Sequence, residues 1–256
     1  MGATNPFADA EVGQLYDHGR PFLQARAVQR IAELIGTNTV HRALDVACGT
    51  GLSSRALADV AEVVVGAEIA PGMLAAARRH PSVHYVLAPA ERLPFPDAAF
   101  GAVTVASGVH WFDQERFFAE ASRVLVASGW LAIYDHYFLG EMEEVPSFKT
   151  WTRESYAARY PTPPRGRHFD AKTETPHGFH RVGDDGYVDL VEMTHRGLVD
   201  YLLTQSNTTV PLAGGTESRA AVGRWLSEET EGFFDHGQSR RLRFWTMVVC
   251  YAASGR

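Results

Sequence analysis

The sequence contains 256 residues, of which 45% are hydrophobic and 21% are charged, and its formal net charge is −6. This length and composition predict one globular domain with a sizeable core. A net acidic chain offers no basic surface to duplex DNA or RNA, which argues against a nucleic-acid partner. The sequence has no apolar run near about 18 residues and no charged-then-apolar leader, so a membrane segment and a secretory signal are not expected.

The two cysteines, Cys48 and Cys250, are far apart and neither has metal-ligand spacing. A disulfide framework and a zinc site are therefore not expected. The histidines of the second half also lack such spacing, so no metal is predicted. Free cysteines favour a reducing, cytoplasmic location.

The N-terminal part of the chain is predicted to be helical. Asn5–Gly19 predicts a short helix with a loop, and Pro21–Ile35 predicts an amphipathic helix that stops at Gly36. Proline near the start and glycine just after the end are the usual boundaries of a helix.

The stretch Ala43–Gly51, A-L-D-V-A-C-G-T-G, predicts a buried parallel strand that ends in a glycine turn before a helix. Gly49 and Gly51 can adopt positive φ and let a ligand approach the backbone, while the N–H groups that open the next helix supply donors. Asp45 interrupts the apolar strand, so we expect its carboxylate to be hydrogen-bonded. The turn is therefore a predicted ligand seat.

The neighbouring residues restrict the ligand. A dinucleotide fingerprint needs a third glycine where this sequence has Ser54, and a P-loop needs a lysine that does not follow Gly51. A second strand, Glu62–Glu68, ends in an acid about 17 residues past Gly51, near the distance at which doubly wound folds bind ribose. A nucleoside with free ribose hydroxyls and no essential phosphate fits these features.

The remaining elements alternate between helix and strand up to residue 137. We predict helices at Pro71–His80 and Gln114–Leu125. The third, fourth and fifth strands are predicted at Val83–Leu87, Phe100–Ala106 and Trp130–Tyr134. The alternation breaks over Glu141–Asp189, which contains a helix at Pro146–Arg159 and is long enough to form a cap over a pocket. A sixth strand is predicted at Leu190–His195 and a last strand at Arg243–Ala252. Between them we predict helices at Leu198–Gln205 and Ser218–Glu229.

Several of these stretches, in this order, resemble the class I S-adenosylmethionine-dependent methyltransferases: D-V-A-C-G-T-G, G-A-E-I-A-P-G-M-L, A-E-R-L-P-F-P-D-A-A-F, S-G-V-H-W-F-D and R-V-L with a following glycine. The His-Trp-Phe-Asp stretch is most similar to the small-molecule branch that includes trans-aconitate and juvenile-hormone-acid methyltransferases. The resemblance implies an α/β, doubly wound, Rossmann-like seven-stranded sheet. It also implies that the last strand is antiparallel and lies between the fifth and sixth, with a cap inserted between those two.

The resemblance implies that the cofactor is S-adenosyl-L-methionine. Pro89 stands where many relatives have an acid that binds the adenine amino group, so that role would pass to the Ala90 backbone or to Glu91. The full predicted cofactor set is Tyr16, Arg20, Asp45, Ala47, Gly49, Gly51, Glu68, Ile69, Met73, Ala90, Glu91, Ser107 and Trp111.

Two histidines near the carboxyl ends of strands are candidate catalytic residues. If the acceptor is a hydroxyl, His110 or His136 could take its proton, whereas a carboxylate acceptor needs no base. Alternatively, His110 caps a backbone group and Trp111 belongs to the core. In the cap, arginines such as Arg165 and Arg167 could clamp a substrate carboxylate.

We therefore expect a single domain, 1–256, in which residues 1–36 cover the cofactor, 37–137 form the core, 138–190 the cap and 191–256 the rest of the sheet. The predicted function is methyl transfer to an oxygen of a small molecule, carboxylate or hydroxyl, by a monomer or homodimer. Two alternatives stay open. One is a non-catalytic S-adenosylmethionine-binding protein, and the other an NAD-dependent oxidoreductase, which Ser54 opposes.

Overall fold

The computed structural model describes residues 7, 10–36, 39–164, 169–170, 173–235 and 237–254. Within them the strands form one seven-stranded sheet in the order β3-β2-β1-β4-β5-β7-β6. The strands are β1 Val40–Val46, β2 Ala61–Glu68, β3 Val83–Leu87, β4 Phe100–Ala106, β5 Leu125–Met142, β6 Phe179–Thr194 and β7 Ser239–Ala253. The helices are α1 Ala10–Gly19, α2 Gln24–Ile35, α3 Leu52–Leu57, α4 Pro71–Ala75, α5 Gln114–Val124, α6 Pro146–Trp151, α7 Ala157–Arg159, α8 His195–Leu203, α9 Ser206–Ala213 and α10 Arg219–Thr230.

The predicted fold class is confirmed. Strands β1 to β5 are parallel, and β7 lies antiparallel between β5 and β6. Alternate strand residues point to opposite faces. Leu44, Val103 and Leu131 pack in one cluster with α5, while Ala43 and Ala102 pack in another with α2 and α3. Helices therefore cover both faces of the sheet, as a doubly wound fold requires.

The first four strands follow their predictions closely, because they are buried apolar runs bounded by turns. The bounds of β3 and β4 are the predicted ones. The predicted helix Pro71–His80 was too long, since α4 ends at Ala75. Beyond it, Arg78 forms an ion pair with Asp17 of α1, and its carbonyl accepts a hydrogen bond from Tyr85, so tertiary contacts replace the last predicted turns.

The last three strands, β5, β6 and β7, are longer than predicted. β6 begins at Phe179 rather than at Leu190, and it pairs with β7 along its whole length. Its first half reads F-H-R-V-G-D-D-G and is largely half-exposed, so its alternation of polar residues and glycines looks like a loop in the sequence. Part of the predicted cap, residues 179–190, is therefore sheet. β5 likewise extends to Met142, beyond the predicted end at Tyr134.

Helices from two segments form the apolar cluster at the cap. The predicted helix Pro146–Arg159 is present as α6, a π-helical turn at Thr152–Tyr156, and α7. It packs against α8 and α10, which follow β6, through Phe148, Trp151, Tyr201 and Leu226. α9, which contains Pro211 and two threonines, was not predicted. The predicted cap residues Arg165, Arg167 and His168 lie outside the described residues.

Gly13 sets the distance between α1 and α4. A Cβ at this position would overlap the carbonyl oxygen of Gly72. We predict that Gly13→Ala lowers the free energy of unfolding by about 1–3 kcal/mol, because the two backbones must separate. Urea unfolding measures the change. Gly232→Ala is the control, since its Cβ would meet no atom of the described residues within 4 Å. Equal losses in both variants would contradict the prediction.

Candidate active site

The turn after β1 has the backbone geometry that its glycines suggested. Gly49 has φ 57° and Gly51 has φ 80°, and a Cβ at Gly51 would overlap the hydroxyl of Tyr85. The preceding Ala47 also has positive φ, 56°, which is strained for a residue with a Cβ. The turn therefore brings bare backbone against the space above the sheet edge.

Asp45 lies beneath this turn and is fully buried. Its Oδ2 accepts hydrogen bonds from the Ser53 and Ser54 hydroxyls at 2.5 and 2.6 Å, and its Oδ1 accepts one from Thr104 at 3.1 Å. Burial raises the pKa of Asp45 from 3.8 to about 6, and the three hydroxyl donors oppose that rise. The carboxylate thus links β1 to α3 and β4, and it supports the turn that lies above it.

Glu68 ends β2 and joins the two strand ends. Its Oε2 accepts a hydrogen bond from the Gly49 N–H at 2.9 Å, and its Oε1 accepts one from the Ala70 N–H at 2.8 Å. Burial raises the pKa of Glu68, while these backbone donors lower it. An ionised carboxylate has about four lone-pair sites, so acceptor capacity remains for a ligand's hydroxyl groups.

A cleft of about 330 Å³ opens at the carboxyl ends of β1, β2 and β4; we call it the main cleft. Most of the predicted cofactor residues line it: Tyr16, Ala47, Gly49, Glu68, Ile69, Met73, Ala90, Glu91, Ser107 and Trp111. The structure adds Phe7, Ala106, Gly108 and Phe112. Three of these additions adjoin predicted residues in the sequence, whereas Phe7 was included only in the general expectation that residues 1–36 cover the cofactor.

Aromatic and apolar side chains form the rim of the main cleft. The ring of Phe7 lies edge-on to Tyr16 and to Trp111, each at 6.3 Å between centroids. Ile69 is 58% exposed and Trp111 is 42% exposed, which is unusual for side chains of this size. The rim therefore presents apolar surface that a flat ring or an apolar ligand can cover.

A small cavity of about 30 Å³ adjoins the main cleft and shares Tyr16 and Ser107 with it. Arg20 lines this small cavity rather than the main cleft. Its guanidinium lies over the rings of Tyr16 and Tyr201, and its Nη2 donates to the Thr204 carbonyl at 2.9 Å. Its Nε is buried and has no hydrogen-bond partner among the described residues.

Ser107 forms the boundary between the main cleft and the small cavity. It has φ 53° directly after β4, and its hydroxyl donates to Asp135 of β5. A Cβ on the next residue, Gly108, would lie 2.9 Å from the Cβ of Ala47. The ends of β1 and β4 are therefore in close contact, and both carry strained backbone at the cleft.

The two predicted catalytic histidines lie in different surroundings. His136 lines the small cavity; its Nδ1 is 2.8 Å from Thr246 Oγ1 and its Nε2 is buried. Burial lowers the pKa of His136 from 6.5 to about 4, so the ring is neutral at pH 7. His110 is half-buried in a 3₁₀ turn with its ring centroid 5.1 Å from that of Trp111, and it lines neither the main cleft nor the small cavity. Both catalytic roles remain predictions.

No group of three or more histidine, cysteine, aspartate or glutamate residues in the described part of the chain is placed to hold a metal ion. No helix in the same residues is both long and apolar enough to span a membrane.

Part of the chain is similar to known methyltransferases. Residues 44–133 match the family model described as a methyltransferase domain. The chain is 42% identical over 116 residues to the demethylmenaquinone methyltransferase of Thermus thermophilus, which covers 42% of this chain and 52% of that protein. It is 34% identical over 128 residues to the malonyl-[acyl-carrier protein] O-methyltransferase of Serratia marcescens. This match covers 47% of this chain and 50% of that protein. The chain therefore spans about half the length of these curated relatives.

A solved structure shows the same fold over most of both chains. It is a protein of Anaeromyxobacter dehalogenans assigned to the type II methyltransferases, with a TM-score of 0.66 and 25% identity over 91% of this chain and 97% of that one. Residues 44–133 are therefore similar to a methyltransferase domain, and the chain as a whole shares the fold of this solved structure.

The buried Asp45 makes stability depend on pH. Its pKa is about 6 in the folded protein against 3.8 as the ordinary value, so between these pH values the folded state binds the extra proton. The free energy of unfolding then falls as pH rises from about 4 to about 6, by on the order of 2–3 kcal/mol for this group.

We predict that Asp45→Asn removes this component, so that the stability of wild type relative to the variant declines across that window. Urea unfolding at several pH values between about 4 and 7 checks it. Asp59→Asn, at an exposed position just after α3, is the control and should run parallel to wild type. A constant difference between wild type and Asp45→Asn would contradict the prediction.

Proposed function

We propose that this chain transfers the methyl group of S-adenosyl-L-methionine to an oxygen atom of a small-molecule acceptor. The observation that carries the proposal is the joining of the two strand ends by Glu68, which holds the Gly49 N–H while it lines the main cleft. This arrangement offers an acid for ribose hydroxyls beside bare backbone.

The residues of the main cleft fit the parts of this cofactor. The remaining lone pairs of Glu68 would accept the ribose hydroxyls. Ile69 and Met73 would flank the adenine, and the exposed face of Trp111 would lie near the sulfonium, whose charge an aromatic ring attracts. The volume of about 330 Å³ is within the range of small-molecule sites.

The two ends of the cofactor would be recognised differently. Ala90 lines the cleft where adenine would lie, and the Glu91 Oε1 already accepts the Asp113 N–H at 2.9 Å, which leaves its other oxygen for the amino group. At the other end, Arg20 and Tyr16 would hold the methionine carboxylate, for which the unpartnered Arg20 Nε is a suitable donor. Asp45 and Gly51 would act by shaping the turn.

The bound cofactor supplies an activated methyl group, so the protein has to position a nucleophile and exclude water. Phe7, Tyr16 and Trp111 would form the water-excluding roof. The small cavity lies next to the expected methionine end, and it is where we place the reacting group of the acceptor. The chain needs no covalent residue for this reaction.

Two observations support a small acceptor and an oxygen atom. The His-Trp-Phe-Asp stretch resembles the branch of trans-aconitate and juvenile-hormone-acid methyltransferases. The relative from Serratia marcescens is by name an O-methyltransferase, whereas the relative from Thermus thermophilus acts by name on demethylmenaquinone. We extend the proposal to a monomer or homodimer in the cytoplasm.

The other two functions are less well supported. For an NAD-dependent oxidoreductase, the third glycine of the fingerprint is replaced by Ser54, whose hydroxyl is committed to Asp45. A non-catalytic binding protein would share the cleft and differ only in turnover. Fold alone does not separate these functions.

Calorimetric titration with S-adenosylmethionine, S-adenosylhomocysteine and NADH tests the cofactor. We expect binding of the first two and none of the third. Release of S-adenosylhomocysteine during incubation with matched panels of small carboxylic acids, alcohols and phenols tests the reaction. Binding of NADH alone would refute the proposal, and cofactor binding without turnover on any panel would favour the non-catalytic alternative.

Glu68→Gln should weaken S-adenosylhomocysteine binding about 10-fold or more, because an amide donor replaces one acceptor oxygen at the ribose. Calorimetry measures the dissociation constant, and thermal unfolding verifies that the variant is folded. Glu62→Gln makes the same change at an exposed position of the same strand, where the side chain pairs with His41, and should bind as wild type does. Unchanged affinity in Glu68→Gln would remove Glu68 from the site.

A further inference from the structure

A chain of polar contacts runs from the small cavity across the sheet to the surface. His136 of β5 lies opposite Thr246 of β7, and the two side chains are 2.8 Å apart. The Thr246 hydroxyl donates to Asp189 Oδ2 of β6 at 3.1 Å. Asp189 Oδ1 forms a 2.8 Å ion pair with Arg26 of α2. Four elements that are distant in sequence thus meet behind one histidine ring.

The order of donors in this chain fixes the state of the ring. A threonine hydroxyl has one proton, and here that proton points to a carboxylate, which can only accept. The Thr246 oxygen must therefore accept from His136, which places the imidazole proton on Nδ1. Because the ring is neutral at pH 7, Nε2 carries a lone pair and no proton.

That lone pair belongs to a group of buried polar atoms around the small cavity. His136 Nε2 and Gln24 Oε1 have no hydrogen-bond partner among the described residues, and both side chains line the small cavity. Buried polar atoms are costly when unpaired, and both of these atoms are acceptors, so they point to a ligand group that can donate a hydrogen bond. The cavity shares Ser107 with the main cleft, where the cofactor is proposed to lie.

We propose that Thr246 and Asp189 are positioning residues that hold His136 with its proton on Nδ1, so that Nε2 accepts a hydrogen bond from a hydroxyl group of the acceptor. This inference rests on the proposed function and narrows it, because it selects alcohols, phenols and enols over carboxylic acids. An ionised carboxylate has no proton to donate, and its lone pairs would face the lone pair of Nε2.

Every atom and electron pair of the methyl transfer is accounted for in this arrangement. The acceptor's oxygen forms the new bond to the methyl carbon, the bond from that carbon to sulfur breaks, and its electron pair stays on sulfur. The hydroxyl proton passes to His136 Nε2 and leaves to solvent with product release. The charged groups that face the ring are Asp135 of its own strand, Asp189 of β6 and Arg20 between α1 and α2, so the imidazolium formed has two carboxylates nearby.

Nitrogen NMR of protein labelled with ¹⁵N-histidine tests the positioning without cofactor. The His136 signals are those absent from His136→Gln. We expect the Nδ1–H tautomer in wild type, a mixture of tautomers in Thr246→Val, and recovery in Thr246→Ser, which restores the hydroxyl. An Nε2–H ring in wild type, or an unchanged ring in Thr246→Val, would overturn the proposal.

The chain provides a matched control for this substitution. Thr230 is equally buried, and its hydroxyl contacts His195 Nε2 at 2.9 Å between α10 and α8. Thr230→Val should change the signals of His195 and leave those of His136 unchanged. A loss of the His136 tautomer in both variants would show a general effect of cap packing and would contradict a specific role for Thr246.

The acceptor class is tested with phenol and benzoate in the presence of excess S-adenosylhomocysteine. Phenol should shift the His136 Nε2 resonance, and benzoate should not. A shift with benzoate alone, or with neither compound, would overturn the inference about hydroxyl acceptors. The result stays separate from the proposed function, because calorimetry of S-adenosylhomocysteine binding tests the cofactor site and the tautomer spectra require no cofactor.

Discussion

The structure depends on a carboxylate that is buried without a cationic partner. Asp45 is held by hydroxyl groups of α3 and β4, so one residue fixes the start of a helix, the end of a strand and the neighbouring strand. Burying a charge is costly unless polar groups compensate, and hydroxyl dipoles do so here without cancelling the negative charge. The turn above Asp45 keeps its positive-φ geometry because its base cannot shift without breaking these bonds.

The main cleft above Asp45 is shaped by a second acid and by two residues with strained backbone conformations. Glu68 binds the turn through Gly49, and Ala47 and Ser107 take left-handed conformations at the ends of β1 and β4. Strain of this kind persists only where the surrounding structure over-determines it. It aims backbone groups and the Ser107 side chain at the cleft, which therefore presents a largely preformed surface to an adenosyl ligand.

The aromatic cluster at the predicted cap comes from helices before and after β6, and it meets the sheet where β5, β7 and β6 extend beyond their predicted lengths. On these three strands His136, Thr246 and Asp189 lie side by side, behind the small cavity. Because these strands are neighbours only in the sheet, the polar chain depends on their register.

The sequence by itself determined the cofactor half of the protein. The run A-L-D-V-A-C-G-T-G and the acid at Glu68 are local patterns, since apolar strands, glycine turns and strand-ending acids need no distant partner to be recognised. Tertiary structure alone decided the surroundings of the small cavity. The first part of β6, residues 179–189, looks like a loop in the sequence until β7 pairs with it. Phe7 lines the cleft beside Tyr16 of α1, and His136 contacts Thr246, 110 positions away. Contacts between residues so far apart follow from strand order and register, which periodicity within one segment does not encode.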